Sequence, residues 1–455
     1  MSSQANFLIK ITVYAISYIV TIGIIISTFY LHGVENHSFP LLRIVTMSFA
    51  SILLLKYFVY MLLSPWHDVW VRLRARINNI KNNPYYPRVS VIIPAWNEEV
   101  GLLETIKTLL NSTYKNLEIV VINDGSTDRS DKMFRDFIEE YSRIHRDEYE
   151  RINIVYHYKK NGGKGAALNT GINLADGEII VSIDADCVVL PQTISNFVQY
   201  FRDPKVMAAV GNVKIGNTDT LVGVVQYLEF LFSFYFKKAD SLANVIYIIG
   251  GAAGAFRREV FDKIGFYSTD NITEDIELSV RIQDAGLKIV YASDAIVYTE
   301  GATEVGSLMK QRLRWKRGRF ETFNSYKHMF FSFRGRHSKL LTWLILPLAL
   351  FGEAQLFMEL FFLIFLYAYS FMINDFSSFI SGIIVVSSMF AVQIFFDDKK
   401  DKKLSFYLLA PIGWILFYLS SFVEYNALVK SIWGYYRNEE IKWQKWQRNG
   451  ITSNV

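Results

Sequence analysis

Long apolar stretches stand at both ends of the chain, and an alternating, charge-rich stretch stands between them. Residues 11–31 are an unbroken run of apolar and small side chains, about the 20 residues that a helix needs to cross a hydrocarbon core. A second run, 44–63, is interrupted by Lys56, which snorkels toward an interface or faces a protein-lined cavity. From Val89 the pattern becomes short β-branched runs: Val89–Ile93, Glu118–Ile122, Ile152–Tyr156 and Glu178–Ile183. Helix-like segments near 99–111, 127–142 and 165–175 separate them. This rhythm predicts an α/β domain built on a mostly parallel sheet with right-handed crossovers. In such sheets the ligand lies beyond the carboxyl ends of the strands. Beyond 338 the chain is apolar again, at 339–373, 377–396 and 404–428, and three crossings are the simplest count. Glu353, Glu359 and Glu424 are costly in lipid and should face protein or water.

Composition sharpens this picture. The 455 residues are 51% hydrophobic and 20% charged, which excludes a disordered chain and points to a membrane protein with a soluble middle. No small-residue cleavage site follows Leu31, so the first run is expected to be retained rather than removed as a signal peptide. The single cysteine, Cys187, forbids an internal disulfide or a cysteine-built zinc site and is expected to be a small buried packing residue. Of the net charge of +5, much stands beside apolar runs. Arg72, Arg74, Arg76 and Lys81 follow the second run and place the middle of the chain in the cytoplasm, with His32, Glu35 and His37 outside. The positive-inside effect explains the charge, and no nucleic-acid partner is expected. Three C-terminal crossings put the lysine-rich connector Asp397–Lys403 inside but the basic tail outside. Splitting 339–373 into two crossings reverses both, so the side of the tail stays open.

Candidate chemistry gathers at the strand ends. The first strand runs into Pro94-Ala95-Trp96-Asn97-Glu98-Glu99, and the second into Asn123-Asp124-Gly125-Ser126. Either alone is equally a turn with a helix cap. The fourth ends in Asp184-Ala185-Asp186, where alternation in an extended segment would aim both carboxylates to one side. Paired hard oxygen ligands suit Mg²⁺ or Mn²⁺ shared with a diphosphate. Asn161-Gly162-Gly163-Lys164-Gly165 opens a helix after the third strand, so its amides and lysine suit an anion, although a surface turn would read the same. It lacks the spacing of a Walker loop, and no dinucleotide fingerprint supports hydride chemistry. Thr273-Glu274-Asp275 precedes an amphipathic segment; Asp275 is either an ordinary first-turn acid or a general base. Gln311, Arg314 and Trp315 share one face of a basic helix, offering a phosphate-gripping guanidinium and a sugar-stacking indole, while the segment also suits anionic lipid.

Taken in order, Asp124, Asp184-Ala185-Asp186, Thr273-Glu274-Asp275 and Gln311-Arg312-Leu313-Arg314-Trp315 resemble the signature of the processive family 2 membrane glycosyltransferases. These synthases make poly-N-acetylglucosamine, hyaluronan, chitin or cellulose. The resemblance spans roughly residues 88–330. It implies a cytoplasmic, Rossmann-like GT-A domain at 83–300, flanked by a membrane region at 1–82, an interfacial segment at 301–338, a second membrane region at 339–429 and a basic tail at 430–455. It implies that Asp124, with Pro94 to Glu98, holds the nucleoside of a UDP-sugar, with Lys164 nearby. Asp184 and Asp186 would bind Mg²⁺ or Mn²⁺, and Asp275 would deprotonate the acceptor. Arg314 would support the leaving diphosphate, while Trp315, with Gln311, would stack on the growing polysaccharide. Gly250 to Arg257 is similar to the acceptor-side wall, though close backbone packing explains it equally. The implied activity is processive, inverting β-linked polymerisation with export across the plasma or inner membrane. Poly-β-1,6-N-acetyl-D-glucosamine is the product it points to first. Accessory membrane or export subunits stay open. A non-processive enzyme acting on a lipid-linked acceptor is the alternative in the same fold, and a nucleotide-binding transporter or sensor the alternative from another class. The ending Trp443 to Gly450 resembles a W-x-K-x-x-R-x-G pattern of related synthases and has no assigned mechanism.

Overall fold

The computed structural model describes residues 58–73, 85–144, 152–374, 376–397, 404–437 and 448–451, with a few single positions besides. The predicted run 11–31, most of 44–63, the flank residues Arg74, Arg76 and Lys81, the loop with His32, Glu35 and His37, the connector beyond Asp397, and Trp443 to Gln447 lie outside these residues, single positions apart.

All four predicted strands are present: β1 (Val89–Ala95), β2 (Leu117–Asp124), β3 (Asn153–Lys159) and β4 (Ile179–Ile183). They lie parallel in the order β3-β2-β1-β4. Strand order reverses at β1, so a crevice opens beyond the carboxyl ends of β1 and β4, where Pro94 to Glu98 and Asp184 to Asp186 sit. The rest of the sheet departs from the parallel expectation. β5 (Cys187–Val189) begins only the turn Asp184–Asp186 after β4, too few residues for a parallel crossover, and it pairs antiparallel with β8 (Lys288–Thr299). β7 (Ala253–Arg257) pairs antiparallel with both β4 and β6 (Val206–Ile215), and β6 runs parallel to β8. The sheet is mixed, with eight strands in the order β3-β2-β1-β4-β7-β6-β8-β5.

Alternation along each central strand feeds two cores. Val91, Ile93, Ile119 and Val121 face a layer with α2 (Leu102–Leu110), α3 (Ser130–Ile144) and α5 (Thr193–Tyr200). Ile92, Val120 and Ile122 face α4 (Lys164–Leu174), α7 (Arg258–Ile264) and α8 (Glu274–Asp284). Helix α4 comes so close that a Cβ at Gly171 would collide with Ile92. This contact sets the depth at which Lys164 enters the crevice.

Helix α1 (58–73) is tied to this domain by Lys238 to Asp68 at 2.9 Å and Tyr60 to Asp240 at 2.8 Å. Both partners lie on α6 (Leu221–Leu242), against which α11 (Ser377–Phe396), α12 (Leu404–Leu409) and α13 (Gly413–Tyr436) also pack. Helix α9 (Val305–Ser325) leads through a π-helical turn, Leu341–Ile345, into α10 (Leu346–Ile373). The run 339–373 is thus one continuous helix from Lys339 onward. Among the described residues, two segments are long and apolar enough to cross a membrane, Leu341–Glu359 and Phe406–Tyr436. Within the predicted run 377–396, the apolar helix Ile383–Phe396 is shorter, and Phe390 and Ile394 are buried on α6.

Candidate active site

Register places the first acid. Parallel pairing of β2 with β3 sets Asp124 opposite Lys159 at the strand ends, and Lys159 Nζ donates to Asp124 Oδ1 at 2.6 Å. The backbone N–H groups of Gly162 and Gly163 donate to the same carboxylate at 3.0 and 2.8 Å, and Asn161 Nδ2 donates to the Asp124 carbonyl at 2.8 Å. Gly163 has φ +86°, which a side chain would strain, so this loop needs glycine to turn its amides inward. Asp124 therefore anchors the glycine loop and fixes the start of α4. The β1 end is knitted to the same region: the Thr127 N–H donates to Asn97 Oδ1 at 2.7 Å, and the Asn97 N–H to Ser126 Oγ at 2.9 Å.

Lys164 is the hub. Its Nζ lies 2.5 Å from Asp184 Oδ1 and 3.6 Å from Glu274 Oε1. A Cβ on Gly251 would fall 2.5 Å from Lys164 Nζ and 3.5 Å from Asp275 Oδ2, so the missing side chain there leaves room for an ammonium beside an acid. Burial alone would lower the Lys164 affinity for its proton; the charges of Asp184, Glu274 and Asp275 outweigh it and hold the ammonium well above its ordinary value. Burial pushes Glu274 up to about 6, with Lys164 opposing, Asp275 adding and Arg314 opposing. Asp186 is likewise raised by burial, against the pull of Arg448.

The Asp184–Asp186 segment is a turn, not an extended strand end, so the two carboxylates do not act by simple alternation. Helix α2 fixes the turn: Thr105 Oγ1 donates to the Ala185 carbonyl at 2.9 Å and accepts the Cys187 N–H at 3.1 Å. Cys187 is free and buried, as expected. No cluster of three or more His, Cys, Asp or Glu forms a metal cage among the described residues. Two adjacent carboxylates nevertheless fit an ion that draws its other ligands from phosphates and water.

Helix α9 packs along α8. Thr273 presses on Gly318, Asn271 Nδ2 donates to Thr322 Oγ1 at 3.1 Å, and Tyr326 OH donates to Glu277 Oε1 at 2.6 Å. Arg314 thereby comes close enough for its charge to act on Glu274. The Arg312 guanidinium covers the Trp315 ring at 4.5 Å, and Gln311 Oε1 is a buried acceptor that no described hydrogen-bond donor meets. The neighbouring face of α9 carries a buried ion-pair network. Arg312 pairs with Glu229 and, at 3.3 Å, with Glu424; Lys316 lies 2.7 Å from both Glu424 and Glu353; Arg319 lies 2.7 Å from Glu353. Ser421 donates to Glu359 at 3.0 Å. All three costly glutamates meet polar partners, as their chemistry requires.

Asp124, Lys164, Asp184, Glu274, Asp275 and Arg314 are thus linked through α4 and α8. Sequence reasoning gave no role of their own to Lys159, Glu274 and Arg448. The register at the β2–β3 end was the available signal for Lys159. Arg448 pairs with Asp186 and approaches Glu98 at 3.9 Å, and only the C-terminal motif hinted at it.

The chain is similar to known glycosyltransferases. The glycosyl transferase family 2 pattern matches residues 90–265, and that of glycosyl transferase family group 2 matches residues 179–391. A poly-beta-1,6-N-acetyl-D-glucosamine synthase from Staphylococcus epidermidis is 28% identical over 325 residues, 69% of this chain and 76% of its own. Its namesake from Staphylococcus aureus is 29% identical over 235 residues, 51% of this chain and 55% of its own. Among solved structures, the mannosyltransferase PcManGT from Pyrobaculum calidifontis, in complex with GDP-Man and Mn²⁺, superposes with a TM-score of 0.51 at 19% identity. It covers 84% of this chain and 99% of its own, and shows a shared fold. The two family patterns thus span both the crevice and the helices behind it, and over that stretch the chain is similar to family 2 glycosyltransferases.

Proposed function

We propose that this enzyme polymerises N-acetylglucosamine from a UDP-sugar into a β-linked polysaccharide, poly-β-1,6-N-acetyl-D-glucosamine, and passes the chain across the membrane through its apolar helices. The carrying observation is the packing of Thr273 against Gly318, which brings the helix of Gln311, Arg314 and Trp315 against the start of the helix of Glu274 and Asp275. The names of the Staphylococcus relatives support the sugar and the linkage. The two apolar segments support a membrane-embedded enzyme. The proposed division is a membrane region at 1–82, a cytoplasmic catalytic domain at 83–300, an interfacial segment at 301–338, a membrane region at 339–429 and a tail at 430–455.

In this reading the donor lies in the crevice between β1 and β4. Pro94 to Glu98 and Asp124 hold its nucleoside end, and the glycine loop, shaped by Asp124, sets Lys164 beside the diphosphate. Asp184 and Asp186 would hold a Mg²⁺ or Mn²⁺ ion, which when bound offsets charge on the diphosphate; the fold neighbour, solved with GDP-Man and Mn²⁺, supports this choice. Trp315 and Gln311 seat the acceptor sugar. Asp275 takes the proton of the acceptor hydroxyl as its oxygen bonds to the anomeric carbon. The bond from that carbon to the diphosphate oxygen breaks on the opposite side, so an α-linked donor gives a β-linked product. Arg314 and Lys164 steady the departing UDP.

The full chain, reconstituted and supplied with UDP-N-acetylglucosamine and either metal, should release UDP and build long polymer together. Asp275→Asn should retain donor binding and lose about 10²–10⁴-fold in turnover, the usual contribution of a positioned base. Wild-type turnover in that variant would refute the assignment of the base. One sugar added per acceptor would refute processivity in favour of a lipid-linked single addition.

A further inference from the structure

Residues 448–451 return to the crevice and seat themselves by three independent contacts. Arg448, its side chain 9% exposed, ion-pairs with Asp186 Oδ2 and lies 3.9 Å from Glu98 Oε1. The Asn449 and Gly450 N–H groups donate to the two carboxylate oxygens of Glu300, at 2.7 and 3.1 Å. Glu300 is buried just past the end of β8. Ile451 covers Gly216 and packs with Val188, Ile296 and Tyr298. Gly450, at φ +81°, sits so close to Val100 that a Cβ would come within 2.9 Å of its side chain. A stray terminus does not make a charge pair, a two-amide carboxylate clamp and an apolar plug together.

The charge pair has a chemical consequence. Asp186 is buried, and the guanidinium of Arg448 sits on one oxygen of the carboxylate that would help to hold a divalent ion. A guanidinium and a divalent ion on one buried carboxylate repel each other, and the acid attracts the doubly charged ion more strongly, so the guanidinium is the one displaced. We propose that Arg448 is the resident counter-cation of Asp186, and that 448–451 is a strap which a divalent metal must lift from Asp186 on entering the crevice. The strap rests on the reading of Asp186 as a metal ligand. Glu300 is its latch: its carboxylate accepts from the strap backbone, its carbonyl meets Arg448 Nη1 at 3.5 Å, and together they hold the guanidinium over the acid.

The test uses the full chain in detergent without nucleotide, and free Mn²⁺ is measured by electron paramagnetic resonance. Arg448→Gln should tighten Mn²⁺ binding by about tenfold or more, since the competing buried pair is gone. Glu300→Gln, which weakens the latch and leaves the arginine in place, should tighten it by a smaller factor. In the wild-type protein, Mn²⁺ should expose the Arg448 peptide bond to trypsin, with cleavage rising in step with metal occupancy. Circular dichroism establishes that each variant is folded. Unchanged or weaker Mn²⁺ binding in both folded variants overturns the strap, as does wild-type cleavage indifferent to Mn²⁺. Asp186→Asn separates the two readings. If it loses Mn²⁺ while Arg448→Gln binds no tighter than wild type, the metal assignment stands and the strap falls. If it binds Mn²⁺ like wild type, the metal assignment itself falls.

Discussion

Replacing Gly318 with alanine tests whether the α8–α9 contact sets the catalytic geometry. In a helix interior, alanine is ordinarily favoured over glycine by about 1 kcal/mol. Here the new methyl would sit 2.5 Å from Thr273 Cγ2 and 2.7 Å from Thr273 Cβ, well inside contact distance. Thr273 cannot rotate away freely, because its hydroxyl donates to Asn271 Oδ1 at 3.1 Å. Helix α9 must therefore back off by about 1 Å, at an overpacking cost of about 1–3 kcal/mol. The two terms largely cancel, so the melting temperature should fall only modestly. Turnover should not be spared, because Arg314 lies one turn earlier on the displaced helix, and about 1 Å of misplacement costs about 10²-fold. The assay is initial-rate UDP release over a range of donor concentration, with thermal unfolding in parallel. Gly306→Ala on the same helix, where nothing lies within 4 Å of the new methyl, is the matched control and should keep full activity. Adding Thr273→Ala to Gly318→Ala should recover part of the lost rate. Wild-type turnover in folded Gly318→Ala, or an equal loss in Gly306→Ala, would refute the reasoning.

Two further outcomes follow from buried charge. Because Glu274 is raised from 4.5 to about 6 in the folded protein, its carboxyl adds stability that is fully present below about 4.5 and is lost as pH rises through 6. Unfolding free energy should drop across that window by about 2 kcal/mol, a step that Glu274→Gln removes; an unchanged pH profile in the variant would sink the assignment. Glu353→Gln leaves Lys316 and Arg319 without their shared anion, and thermal unfolding should report a loss of about 3 kcal/mol. A neutral result would mean that solvent reaches the network.

What the chain discloses in advance depends on whether a signal is local. Strands β1, β2 and β4 are apolar, β-branched runs with polar ends, and all eight positions of β2 are buried, so both element and site could be read from spacing. β7 reads Ala-Gly-Ala-Phe-Arg, and its small residues carry no strand signal; neighbours β4 and β6 impose the conformation. The change to a mixed sheet follows from that strand and from β5, and is invisible to periodicity. Asp184 and Asp186 are conspicuous as a pair, but their partners Lys164 and Arg448 come from a glycine loop and a distant tail. Glu274 looks like any first-turn acid, and only burial beside Lys164 and Asp275 distinguishes it.

Helix α9 joins the acids of the crevice to the apolar helices. One side of it fits the start of α8 through Gly318 and Thr322, and another binds Glu229, Glu353 and Glu424 on α6, α10 and α13. An apolar seam alone would hold these helices together with a weaker demand on register, since the hydrophobic effect is non-directional. Arg312, Lys316 and Arg319 recur at four- and three-residue spacing, and each must meet a particular carboxylate, so a shift of one turn would strand buried charges at a cost of several kcal/mol each. The network is thus less a source of stability than a fixed ruler. It sets where Arg314 and Trp315 stand relative to Asp275, and any rearrangement of α10 or α13 that breaks a pair is felt at the acids of the crevice.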